Sequence, residues 1–308
     1  MSAASVHAYH PFRSTRARNR YLYHYDAHAG SWPVLSETRT VATENERTFV
    51  RISGPADGPP LVLLPGEWDT SLMWMPVIEA LSEDFRTYAV DNPYDFGRSM
   101  GTRPGASTAD YIDYMKWLDE LLDALGLPDG VNLMGCSFGA WLAADYVMQA
   151  PHRLARAVWL SPPFVVLPPP PPYVGAQLSL GAFLVPSRPT VGKFMRWLTP
   201  QAVHAPWFDG HVDDIVVGLR SFYARLSLTE PRMLTDTELH DITVPVLYVV
   251  GEHEQMCSAQ AAVSRLNAVA PQIETGIIPG AGHELPLGQP EAFSQRVLEF
   301  LGAQRGLR

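Results

Sequence analysis

The chain of 308 residues holds only two cysteines, Cys136 and Cys257. Two thiols cannot staple a disulfide framework, and they read as free thiols of a reducing compartment. Long apolar runs are also missing. None nears the ~20 residues that a membrane-spanning helix needs. No apolar core follows Arg13, Arg16, Arg18 and Arg20, so no secretory signal is read. The first acid is Asp26, which leaves a transit-peptide reading beside that of a basic, solvated arm and first helix. Basic charge is in deficit, with 23 Lys and Arg against 32 Asp and Glu and a net charge of −9. Nucleic acids and anionic membranes both need a basic face, so neither is expected as a partner, and the expected location is cytoplasmic. No spaced metal-ligand cluster is apparent, so neither a metal nor an organic cofactor is expected.

Apolar residues make up 46% of the chain, enough for a large core. Leu61-Val62-Leu63-Leu64 is apolar at every position rather than alternately, which suits a strand buried on both faces of a parallel sheet. Helical patterns and further strands then alternate. Helices are predicted over Ser71–Leu81, Thr108–Leu125, Phe138–Gln149, Ala259–Val269 and Pro290–Leu301. Strands are predicted over Phe85–Val90, Val131–Met134, Leu154–Leu160, Val244–Val250 and Ile273–Ile278. Before them lie a helix over 16–29 and short β-rich stretches at Thr38–Thr43 and Arg47–Ile52. The pattern implies an α/β fold, a mostly parallel central sheet with helices on both faces.

One segment breaks the alternation. Ser161–Asp241 contains the stiff run Pro168–Pro172, which cannot join a sheet, and many aromatics. It reads as a mainly helical cap inserted between two strands. The expected division is an N-terminal arm and helix (1–37), a core (38–160 with 242–308) and the cap (161–241).

Gly135-Cys136-Ser137-Phe138-Gly139 carries the pattern G-x-S-x-G between a predicted strand and helix. A serine on so sharp a turn projects its hydroxyl above the sheet, and its neighbours two positions away must be small. Ser137 is therefore the candidate nucleophile. Cys136 beside it is expected to be a buried small residue whose side chain points elsewhere. A serine hydroxyl needs an adjacent base. His283 lies in Pro279-Gly280-Ala281-Gly282-His283-Glu284, directly after the last strand, where a parallel sheet places its site. A third group should orient the imidazole and stabilise its protonated form. The loop Gly251-Glu252-His253-Glu254 offers Glu254, with Glu252 as rival. The chain order of serine, acid and histidine is that of α/β-hydrolases.

These motifs resemble the α/β-hydrolase superfamily from about Thr38 to Leu301. More narrowly the chain resembles bacterial carboxylesterases of the naproxen-esterase type. The matching segments are Leu72-Met73-Trp74, Tyr88-Ala89-Val90-Asp91, Gly97-Arg98-Ser99, Leu160-Ser161-Pro162, Thr235-Asp236-Thr237-Glu238-Leu239, Gly251-Glu252-His253-Glu254, Gly280-Ala281-Gly282-His283 and Gln289-Pro290. The resemblance implies Ser137 as nucleophile, Glu254 as acid and His283 as base. It also implies an oxyanion hole of two backbone amides, Phe138 N–H and Glu67 N–H. Pro65 stands where the family has a histidine, and Glu67 sets a carboxylate near developing negative charge. The Glu67 side chain should therefore point away, pair with a cation or bind a polar substrate group, and Glu67 and Trp68 are the candidate substrate contacts.

The implied function is a serine hydrolase that cleaves a carboxylic ester through an acyl-enzyme, acting on a small-molecule acyl substrate. A thioesterase, lactonase or cyclising acyltransferase would share the three residues. A ligand-binding protein that has lost turnover would share the fold alone. No oligomeric state follows, and a homodimer is as compatible as a monomer.

Overall fold

Strands that are apolar at every position must be covered on both faces, and the sheet is built that way. The computed structural model describes residues 11–101, 111–168, 171, 174–223 and 232–302. Its strands are β1 (Ser36–Ala42), β2 (Glu46–Ser53), β3 (Pro60–Leu64), β4 (Arg86–Val90), β5 (Met100–Gly101), β6 (Val131–Cys136), β7 (Leu154–Leu160), β8 (Val246–Gly251) and β9 (Glu274–Ile278). They form one sheet in the order β1-β2-β4-β3-β6-β7-β8-β9, with β5 paired to β2. β2 is antiparallel to β1, β4 and β5. The remaining pairings are parallel.

Alternate residues of β3 enter different cores. Val62 and Leu64 pack with α3 (Tyr111–Ala124), α4 (Phe138–Gln149) and α9 (Ala259–Val269), through Trp117, Leu121, Trp141 and Leu266. Leu61 and Leu63 pack on the opposite face with α2 (Met75–Ser82) and α11 (Pro290–Leu301), through Ile78, Leu81, Phe293 and Val297. The predicted fold class is the one observed.

A third core joins the N-terminal helix to the long segment between β7 and β8. That segment carries α5 (Val174–Leu184), α6 (Arg188–Leu198), α7 (Phe208–Ser221) and α8 (Asp236–His240). Tyr21 and Tyr25 of α1 (Thr15–Ala29) bury against Phe208, Val212 and Phe222. None of the described helices is long and apolar enough to cross a membrane.

Several boundaries differ from expectation for local reasons. The helix expected over Ser71–Leu81 splits into a 3-10 turn, Ser71–Trp74, and α2. Pro76 falls in the first turn of α2, where its missing N–H costs nothing, so the chain restarts its helix there. A short helix, α10 (Leu285–Gly288), precedes α11 and was not foreseen. Residues 108–110 of the expected third helix, and 169, 170 and 172 of the proline run, lie outside the described residues.

The buried carboxylate of Asp91, just past β4, ties these layers together. It accepts the Ser71 N–H at 2.8 Å, the Arg98 N–H at 2.8 Å and the Tyr25 hydroxyl at 3.0 Å. Gly97 (φ +123°) passes so close that a Cβ there would lie 2.6 Å from the carboxylate. Asp91→Ala leaves two amides and a phenol without their acceptor, at roughly 1–3 kcal/mol for each buried group. We expect Asp91→Ala to lower stability by about 3 kcal/mol or more, read as a shift of the urea midpoint, with Asp91→Asn losing less.

Candidate active site

β6 ends at Cys136 and α4 begins at Phe138, so Ser137 alone turns the chain. It does so at φ 52° and ψ −116°, a strained backbone worth about 1–3 kcal/mol. Surrounding contacts hold it there. Ser137 N–H donates to Leu160 O at 2.8 Å, and Ala140 N–H returns to Ser137 O at 2.9 Å. A Cβ at position 135 would lie 2.1 Å from Gly139 O, and one at 139 would lie 2.4 Å from Leu64 O. Both glycines are thus fixed by close backbone approach rather than by flexibility. Cys136, fully buried in the core on the α2 and α11 side, takes no part. Burial pushes its thiol pKa well above the ordinary range.

The loops after β8 and β9 meet beside this turn. A Cβ at Gly251 would lie 2.2 Å from Gly282 O, and His253 N–H donates to Ala281 O at 2.8 Å. That contact sets His283 against both partners. Its Nε2 lies 2.8 Å from Ser137 Oγ, and its Nδ1 lies 2.8 Å from Glu254 Oε2. The rival Glu252 is spent elsewhere, accepting the Gly280 N–H at 2.9 Å. The fold therefore brings together Ser137, His283 and Glu254, and leaves Glu252 out.

Electrostatics fix the proton on this line. Burial alone would raise the Glu254 pKa. The charge and hydrogen bond of His283, with the Met256 N–H at 2.8 Å, overcome it and hold the carboxyl below its ordinary value. An ionised carboxylate only accepts, so His283 Nδ1 carries the hydrogen and Nε2 is free to accept from Ser137. Burial alone would lower the His283 pKa. Glu254, through charge and hydrogen bond, outweighs it, with Glu284 and Asp69 adding to the rise.

The loop after β3 lies against the nucleophile. A Cβ at Gly66 would lie 3.5 Å from Ser137 Cβ. Gly66 N–H points to Met73 Sδ at 3.4 Å, and Trp68 N–H donates to Asp95 Oδ2 at 2.7 Å. The Glu67 N–H between them has no acceptor among the described residues. Phe138 N–H is the first amide of α4, with no preceding turn to supply an acceptor. The Glu67 side chain is solvent-accessible but ringed by protein, and pairs with no cation among the described residues. Enclosure first, then the charge of Asp95, lift its carboxyl to about 7.

Trp68 (φ +66°) is half-buried, its ring edge-on to Phe194 of α6 at 5.6 Å. It lines a cavity of about 300 Å³ enclosed by α1, α7 and this loop, whose wall includes neither Ser137 nor His283. Beside that cavity is a cluster that sequence reasoning missed. Asp69, His211 of α7 and Glu284 are all buried, with one donor atom from each within 4.8 Å of the others. The three are scattered along the chain, so no spacing announces them.

A sequence model of the Alpha/beta hydrolase family matches residues 61–296. Carboxylesterase YbfK of Bacillus subtilis is 36% identical over 300 residues, spanning 94% of this chain and 96% of that protein. The solved structure described as carboxylesterase CesB (YbfK) from the same species superposes with a TM-score of 0.82 at 33% identity, covering 93% of this chain and 99% of that one. Naproxen esterase (carboxylesterase NP) from Bacillus subtilis gives 0.83 at 31% identity, covering 94% and 99%. The chain belongs to the alpha/beta hydrolase family, and within it to the esterase-type hydrolases.

Proposed function

We propose that this protein is a serine hydrolase that cleaves small-molecule carboxylic esters through a Ser137–His283–Glu254 triad. The observation that carries the reading is the unbroken line of two 2.8 Å contacts from Ser137 Oγ through His283 to a buried Glu254. The names of the relatives, YbfK and naproxen esterase, both carboxylesterases, support the ester as substrate class.

In this mechanism Ser137 Oγ attacks the ester carbonyl as its proton passes to His283 Nε2. Glu254 stabilises the imidazolium so formed. The Phe138 and Glu67 amides hold the oxyanion, helped by the positive end of α4. Collapse of the intermediate expels the alcohol, which takes the proton from His283. Water then attacks the acyl-enzyme by the same route in reverse. Glu67, in the loop against Ser137 and with a carboxyl raised to about 7, contacts a polar group of the substrate with its side chain.

The helices between β7 and β8 serve as the cap. Leu198 O, at the end of α6, accepts the His283 N–H at 3.2 Å, and Phe194 of α6 packs on Trp68. The cap thus braces the base loop as well as shaping the acyl pocket.

Four outcomes are expected. On p-nitrophenyl esters, Ser137→Ala lowers kcat by at least about 10⁴-fold in a folded protein. Glu254→Gln lowers it by about 10³–10⁴-fold, whereas Glu252→Gln leaves it nearly unchanged. Catalysis needs neutral His283, whose pKa is raised above its ordinary 6.5. The acid limb of kcat/KM therefore falls below a pH higher than 6.5, and Glu254→Gln moves it to lower pH; a wild-type limb at or below 6.5 contradicts this assignment. Finally, Glu67→Gln and Glu67→Ala alter amine-bearing esters more than neutral ones, and equal effects on both would remove Glu67 from the substrate contacts.

A further inference from the structure

Asp69, His211 and Glu284 come from the loop after β3, the helix α7 and the loop after β9, and their side chains converge in the interior. His211 Nε2 lies 3.6 Å from Asp69 Oδ1, too far for a hydrogen bond but a fitting separation for two ligands of one ion. One donor atom from each residue falls within 4.8 Å of the others. Donors about 2.1 Å from a common ion stand about 3.4 Å apart in a tetrahedral arrangement, so the widest separation this set allows must close by roughly 1 Å on binding.

The three groups lack other employment. His211 and Glu284 are 7% and 5% exposed, yet His211 Nε2 and Glu284 Oε2 have no hydrogen-bond partner. Among the described residues no lysine or arginine pairs with Asp69 or Glu284. Two desolvated carboxylates facing each other without a cation are costly, and a bound cation removes that cost. Gly66 leaves room for the Asp69 carboxylate, since a Cβ there would stand 3.2 Å from Oδ2. The Trp207 ring, edge-on to His211 at 6.0 Å, limits its rotation. Asp69 and His211 both line the 300 Å³ cavity, which provides an entry path and space for a water ligand.

We propose that Asp69, His211 and Glu284 form a binding site for one divalent first-row transition cation, of the Zn²⁺ or Mn²⁺ class. Two carboxylate oxygens and one imidazole nitrogen suit such borderline ions better than Cu⁺, which prefers sulfur, or Ca²⁺, which prefers oxygen alone. The cation ties α7 to the loop after β3 and to the loop that carries His283. Its binding needs no hydrolytic activity, so this site stands or falls apart from the esterase reading.

The test is calorimetric titration of chelator-stripped protein with ZnCl₂ and, separately, MnCl₂, with melting temperature as the second readout. One equivalent of at least one cation is expected to bind and to raise Tm by several degrees. His211→Gln and Glu284→Gln are expected to weaken binding by at least about 100-fold, since even groups that only support a ligand are worth about 10–100-fold. Using two variants guards against one failing to fold. His28→Asn is expected to leave binding intact; it alters the half-buried pairing of α1 with Asp214. No stoichiometric binding of either cation overturns the proposal. So does binding that survives both His211→Gln and Glu284→Gln, or that is lost in His28→Asn.

Discussion

A Cβ at position 139 would stand 2.4 Å from the Leu64 carbonyl oxygen, and one at 135 would stand 2.1 Å from the Gly139 oxygen. This close approach of β3, β6 and α4 is the constraint on which the site rests. It forces a single residue to turn the chain and accept a strained φ of 52°. It also lays the loop after β3 against that residue, with a Cβ at Gly66 only 3.5 Å from the Ser137 Cβ. The same device recurs at the other end of the site. Gly251 lets the acid-bearing loop touch the loop that bears His283, with no side chain between. Geometry is therefore set by backbone contact, which yields far less than a side-chain rotamer does.

Burial gives that geometry its electrostatic weight. The His283 and Glu254 side chains are 3% and 1% exposed, so water does not dilute their attraction. The cost of burying the pair is met by a short hydrogen bond and by the Met256 amide. Around this pair lie further enclosed carboxyls. Asp69, Glu284 and Glu67 all have raised pKa values, each mainly through enclosure. Glu67 alone of the three opens to solvent. Asp69 and Glu284 face each other beside His211, and a cation is the economical way to hold both.

How much could be read in the sequence followed from where information is local. The parallel strands were legible because Leu61–Leu64 is apolar on both faces, and each face does enter its own core. Ser137, His283 and Glu254 could be named as candidates because each sits in a glycine-marked loop at a strand's C-terminal end, and the fold does bring His283 within hydrogen-bond distance of the other two. Glu254 was preferred to Glu252 from its place in the loop and the family resemblance; that Glu252 instead caps the Gly280 amide could not be read, because only the fold places that amide nearby. Pro76 split a helix whose apolar spacing ran straight through it. The Asp69, His211 and Glu284 cluster was illegible. Each member looked like an ordinary polar residue, and only α7 folding onto the core makes them neighbours. Trp68 was expected at the substrate; its ring packs on Phe194 and lines the side cavity.

The central claim is that Ser137 forms a covalent bond to the acyl group. Intact-protein mass spectrometry after treatment with a fluorophosphonate, followed by peptide mapping, tests it without knowing the natural substrate. The account predicts one adduct per chain, located on Ser137 and lost in Ser137→Ala. An unmodified folded protein, or an adduct carried by Cys136 or another residue, would contradict it.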